Sequence, residues 1–156
     1  TGNPIASANL NGSQNFSVDT NLYTNGERGV GIAHLFSPGS TGSQTINITL
    51  GAHGYDIYAY LVFYSGTATD GFRDTDSSAT TSLTLTTQSG DVPCVIATDD
   101  TNTTMTWTNA TEFDEYTAPA AYCIAIADMT ADGTSETIST SGSSNHIAAV
   151  VLKPGS

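Results

Sequence analysis

The chain of 156 residues carries 15 acidic residues against three basic ones, Arg28, Arg73 and Lys153, for a formal charge of −12. Binding to DNA, RNA or an anionic membrane surface requires clustered Lys and Arg, so neither nucleic acid nor membrane is an expected partner. With 43 Ser and Thr and 15 Gly, the sequence lacks the Leu, Ala, Glu, Lys and Arg density of long helices and is rich in residues suited to strands and turns.

A length near this one fits a single domain that can bury roughly 70% of its unfolded surface. Residues 1–28 are polar and Asn-rich, and read as an N-terminal arm or an edge segment with a short strand near 16–18. Thr1–Ser7 has neither the basic start nor the apolar stretch of a secretory signal, so such a segment is expected to have been removed or never used. Residues 29–156 read as one β-sandwich domain. Its first strand is expected at 29–36. In Gln44-Thr45-Ile46-Asn47-Ile48-Thr49-Leu50, the residues Ile46, Ile48 and Leu50 share one face and Thr45, Asn47 and Thr49 the other, which predicts a strand with one side in the core. Residues 56–64 (DIYAYLVFY) are apolar on both faces and predict a central strand. Residues 82–86 (SLTLT) repeat the alternation, and strands are expected at 92–98, 121–127 and 146–153, with shorter ones near 104–107 and 136–139. Turn residues such as Ser37-Pro38-Gly39, Ser65-Gly66, Ser89-Gly90-Asp91 and Asp132-Gly133 separate the runs. No helical pattern lies between them, so the fold class is all-β: an antiparallel β-sandwich, jelly-roll or Ig-like, of about 8–10 short strands.

From residue 29 to residue 154 the chain resembles a β-sandwich module found in bacteriophage virion proteins and in large bacterial extracellular surface proteins. The residues that carry the likeness are Phe36-Ser37-Pro38 leading to Ile46–Leu50, Tyr64-Ser65-Gly66 followed by Phe72-Arg73-Asp74-Thr75, Thr87-Gln88-Ser89-Gly90-Asp91, the single Trp107, and Ala148–Pro154. The resemblance implies a non-catalytic module that builds or decorates surfaces. Such modules start with an extra apolar strand that residues 1–15 do not show, which raises an incomplete edge completed by a neighbouring subunit.

Candidate chemistry is sparse. His34, His53 and His146 lie in unrelated contexts, no Gly-x-Ser-x-Gly elbow occurs, and no Cys-x-x-Cys or close His pair offers a zinc site; His34 and His146 read as half-buried strand residues. No catalytic residues are assigned, and the chain is read as a non-enzyme. Asp70, Asp74 and Asp76 place three carboxylates in what reads as a flexible loop, a candidate calcium site, although Arg73 would pair with one of them; otherwise no cofactor is expected. Trp107, Glu112, Asp114 and Tyr116 combine rings and acids as a glycan platform would, with core packing the simpler use of Trp107. Cys94 and Cys123 sit in apolar runs, and are a candidate disulfide or two buried thiols. The sequons at Asn11, Asn15, Asn47, Asn102 and Asn109 follow from Ser and Thr abundance. The expected function is a structural module on the surface of a viral particle, a capsid decoration or fibre protein. It would contact capsid or other virion proteins and form a homo-oligomer in an assembly. The alternatives are a glycan-binding or adhesive module of a secreted bacterial protein, or a strand-exchanging extracellular filament subunit. The location is accordingly the virion surface or the extracellular space.

Overall fold

The computed structural model describes residues 4–24, 28–39, 42–51, 58–101, 103–118, 122–142 and 146–155. Within them thirteen strands follow in chain order, more than the eight to ten expected: β1 (Ile5–Leu10), β2 (Gln14–Asn15), β3 (Ser17–Thr24), β4 (Arg28–His34), β5 (Ile46–Leu50), β6 (Thr67–Ser78), β7 (Ser82–Thr86), β8 (Val92–Asp99), β9 (Trp107–Thr108), β10 (Thr111–Thr117), β11 (Cys123–Asp128), β12 (Ser135–Thr140) and β13 (His146–Pro154). The fold is all-β, built of antiparallel sheets packed together. The largest has the order β10-β11-β8-β13-β6; β7-β12-β9 and β2-β1-β5 are three-stranded, and β3-β4 is a pair.

The main core lies between the five-stranded sheet and β7-β12-β9. In β7 the alternation reads straight into burial: Leu83 and Leu85 point inward while Thr84 and Thr86 face water. Across the gap, the odd-numbered residues Val95, Ala97, Cys123, Ala125, Ile147, Ala149 and Val151 join Leu83, Leu85, Met105 and Ile138 in one buried cluster. The small Ala97 and Ala125 are direct neighbours in the β8–β11 pair and share the buried cluster with the larger Leu85 and Ile138 of the facing layer. On β13 the even residues Ala148, Val150 and Leu152 are buried too, because β3 and β4 pack against this strand. That strand is apolar on both faces because it is covered on both.

Several expectations change. The missed strands β6 and β10 are the two margins of the five-stranded sheet. Edge strands carry charge to discourage pairing with other chains, and their Asp- and Glu-rich sequences, TATDGFRDTDSS and TEFDEYT, read as loops for that reason. Residues 1–28, expected as an arm or an edge segment, contribute β1, β2 and β3, and β1 supplies a strand where residues 1–15 suggested none. β1 pairs with β5, outside the main core, so Ile48 is 41% exposed although its alternation predicted burial. Residues 56 and 57 of the expected central strand lie outside the described residues, and 58–65 form no strand.

Candidate functional site

Residues 58–64 lie over the outer face of the five-stranded sheet, alongside β11. Tyr58 meets Tyr122 edge-on at 5.5 Å, the Tyr60 hydroxyl donates to the Ile124 carbonyl at 3.2 Å, and the Tyr64 hydroxyl donates to the Asp128 carboxylate at 3.3 Å. Both hydrogen bonds join residues 64 positions apart, so the segment runs parallel to β11 and in step with it. Extended backbone alternates its side chains: Tyr58, Tyr60 and Tyr64 turn toward the sheet, and Ala59, Leu61 and Phe63 turn away. Leu61 is 55% and Phe63 79% exposed. A two-faced apolar sequence here covers the sheet with one face and leaves the other outward, which is why it resembled a central strand.

The Tyr60 and Tyr64 hydroxyls are held in their neutral form. Burial, and then the carboxylates of Asp114, Glu115 and Glu112, push the Tyr60 hydroxyl up to about 12. Burial likewise pushes Tyr64 well above the usual phenol range, with the Cys94 thiol and Asp128 beside it. The Asp128 carboxyl is itself raised by burial, which the Tyr64 hydrogen bond partly offsets.

The four residues expected as a glycan platform divide between two faces. The Trp107 indole N–H donates to Glu112 at 2.9 Å, while its ring packs at the border of the core cluster. Glu115 accepts from the Met105 backbone N–H at 2.6 Å, so Tyr116, one residue on, points to the opposite side of β10. There it stacks on Tyr58 with ring centroids 4.4 Å apart. Asp114 is exposed on this outer side and accepts from the Glu115 N–H. A register shift between Glu112 and Asp114 makes Phe113 the bulged residue of β10, and it stands 51% exposed.

Asp70, Asp74 and Asp76 lie in β6, a strand and not a loop; the Asp70 side chain is outside the described residues. Asp74 accepts from the Thr86 N–H at 2.7 Å, stitching β6 to β7, and Asp76 accepts from the Ser77 N–H. Among the described residues no group of three or more His, Cys, Asp or Glu side chains is placed to hold a metal ion. Arg73 pairs with Asp91, 18 residues away: Nε and Nη2 each donate to one carboxylate oxygen. Asp91 is fully buried and also accepts from the Gln88 N–H at 2.7 Å.

Cys94 and Cys123 are free thiols. In the β8–β11 pair Cys123 lies opposite Asp99 and Cys94 opposite Asp128, so five residues of register, about 17 Å of strand, separate them. They also point to opposite faces, Cys123 into the core and Cys94 toward Tyr64, which rules out a bridge. Burial pushes the Cys123 thiol up to about 11.

His53 lies outside the described residues, and His146 opens β13 in a buried position. His34 is half-buried between Phe36 and Phe72, at 4.3 and 4.6 Å, and its Nδ1 lies 2.7 and 2.8 Å from the two Asp19 oxygens. This pairing across β3 and β4 was not legible in the sequence, because neither residue has a distinctive neighbourhood. Asp19 is raised by burial, and the His34 contact lowers it in part. Compared with protein-family models, with curated proteins and with solved structures, the chain matches none of them.

Proposed function

We propose that the chain is a non-catalytic structural module displayed on the surface of a viral particle, a bacteriophage capsid decoration or fibre protein. It works through protein–protein contacts with capsid or other virion proteins, as a homo-oligomer in an assembly. The jelly-roll or Ig-like connection of sheets that accompanies such modules belongs to the same reading. The observation that carries it is the exposure of the large apolar side chains Leu61 and Phe63 on one segment and of Phe113 on β10. Contiguous exposed apolar side chains rimmed by polar ones mark surfaces that another protein covers. The test is to purify particles from the source of the chain, band them in a density gradient and label them with an antibody to it. The expected result is label on the particle surface in the particle band. Label confined to particle-free fractions would overturn the proposal.

A second reading, a glycan-binding module of a secreted bacterial protein, is favoured by Tyr116 and Asp114 standing together on the outer side of β10. A glycan array probed with and without calcium tests it; binding lost in Tyr116→Ala would support it, and no binding in either condition would sink it.

A further inference from the structure

We infer that the outer edge of β5 pairs with β5 of a second copy, antiparallel and about a two-fold axis at Asn47. The inference rests on reading the chain as a homo-oligomeric contact module and names the surface and register of the contact. Among the described residues β5 pairs with β1 alone, at the margin of its sheet. The Asn11 N–H donates to the Thr45 carbonyl at 2.8 Å, and the Thr45 N–H donates to Asn11 Oδ1 at 2.9 Å. Backbone groups of an antiparallel strand turn to alternate sides. Asn47 therefore faces β1 as Thr45 does, and Ile46 and Ile48 turn their N–H and C=O to the open edge.

Other sheet margins are protected against pairing. β6 and β10 carry acids, β2 and β9 are two residues long, and β7 is stitched to β6 by Asp74. β5 has no such device. Residues 1–18 and 29–55 hold none of the 15 acidic and three basic residues, so the sheet β2-β1-β5 is uncharged. What identifies the occupant is the sequence of the edge. Thr45-Ile46-Asn47-Ile48-Thr49 reads the same in both directions, and a two-fold contact must be self-complementary. Centred on Asn47, it sets Asn47 against Asn47, Ile46 against Ile48 and Thr45 against Thr49 of the second copy. The two Ile46–Ile48 pairs exchange both of their backbone hydrogen bonds, and the neighbouring strand covers Ile48, which is 41% exposed. Asn15, Asn9 and Asn47 already form a row across β2, β1 and β5, with Asn47 Nδ2 donating to Asn9 Oδ1 at 3.0 Å. The exposed Asn47 ends that row, and the second copy continues it as an amide ladder.

The test is sedimentation velocity of the full chain over a range of protein and salt concentrations, with cross-linking at single cysteines placed on β5. A monomer–dimer equilibrium that tightens with salt is expected, because salt screens the −12 of each copy and leaves an uncharged contact untouched. A chain that stays monomeric overturns the inference, and so does an association that weakens with salt. Ile48→Pro removes an N–H that points to the open edge, a place where a strand accepts proline. It should weaken dimerisation at least tenfold, with the circular dichroism of the dilute protein unchanged. Ile48→Lys should do the same without altering the backbone, and undiminished dimerisation in it overturns the inference. With oxidised glutathione, Asn47→Cys should form a disulfide-linked dimer, since residues facing each other in a non-hydrogen-bonded pair lie about 4.5 Å apart between Cα atoms. Thr49→Cys, about 14 Å from its own copy in this register, should not; the wild-type chain controls for Cys94 and Cys123. Equal cross-linking of the two variants, or none, overturns the register and the inference with it. Particle label without a β5 dimer defeats the inference and leaves the display reading standing. A β5 dimer without particle label does the reverse.

Discussion

Single side chains in this molecule act mainly by satisfying one another where water is excluded. Asp91 is the clearest case, a buried carboxylate that receives two guanidinium donors and a backbone N–H. Removing one partner of a buried pair leaves the other desolvated and uncompensated. Asp91→Ala is therefore expected to cost about 3 kcal/mol in urea denaturation, and a loss below about 0.5 kcal/mol would show that water already reaches Arg73. Asp128 works in the opposite sense. Its folded-state carboxyl is raised above the unfolded value by burial, so the native state holds the proton more tightly. Stability then falls as pH rises from the ordinary carboxyl range through the raised folded value. Asp128→Asn keeps an oxygen for the Tyr64 hydroxyl and removes the charge. Its melting temperature should exceed that of the wild type at pH 7 and match it at pH 3, and a lower value at pH 7 would contradict this account. Tyr60, raised to about 12, gives the alkaline counterpart. Unfolded tyrosine ionises near pH 10, so the contribution of this residue is lost between about pH 10 and 12, and Tyr60→Phe should flatten the fall in stability across that window.

Strands meet here through a few specific devices as well as through ladders. Asn21 on β3 uses its amide as a peptide surrogate: Oδ1 accepts from the Ile5 N–H at 3.1 Å and Nδ2 donates to the Ile5 carbonyl at 2.7 Å. The arrangement fits because Gly31 lies opposite Asn21; a Cβ at Gly31 would stand 2.6 Å from the Asn21 oxygen and 3.1 Å from Ile5 Cδ1. Gly31→Ala should displace the amide and loosen β1 from β3, losing about 2 kcal/mol for two hydrogen bonds. Hydrogen exchange should report it as faster exchange at β1 than at β8 or β13, and unchanged protection of β1 would refute the coupling. At this scale the sequence was readable in proportion to burial. β7, β8, β11 and β13 carry the alternation or the apolar run that a core demands. β6 and β10 do not, since sheet margins are selected against apolar patterning. The 58–64 segment misled for the converse reason. Its pattern was that of a two-sided buried strand, and one of its sides faces outward.

The whole molecule is three layers deep where β13 lies, with β7-β12-β9 on one side of the five-stranded sheet and β3-β4 on the other. Of residues 1–28, β3 thus helps β4 to cover β13, and deleting them would uncover part of the face that carries Ala148, Val150 and Leu152. Such a truncation is expected to bind a hydrophobic dye and to lose cooperative thermal unfolding; a truncated chain that melts as sharply as the full one would show that this layer adds nothing. Composition alone settled the all-β class, because Thr-, Ser- and Gly-rich sequence with scattered apolar pairs cannot form long amphipathic helices. Charge alone removed polyanions from the expected partners. Which groups meet could not be decided that way. Arg73 reaches Asp91, 18 residues away; Cys94 and Cys123 diverge across a sheet; and Trp107 and Tyr116 lie on opposite sides of β10. Each of these depends on strand register and on the side of the sheet a residue faces. Register is set by contacts between segments far apart in sequence, so it is decided only when the sheets assemble.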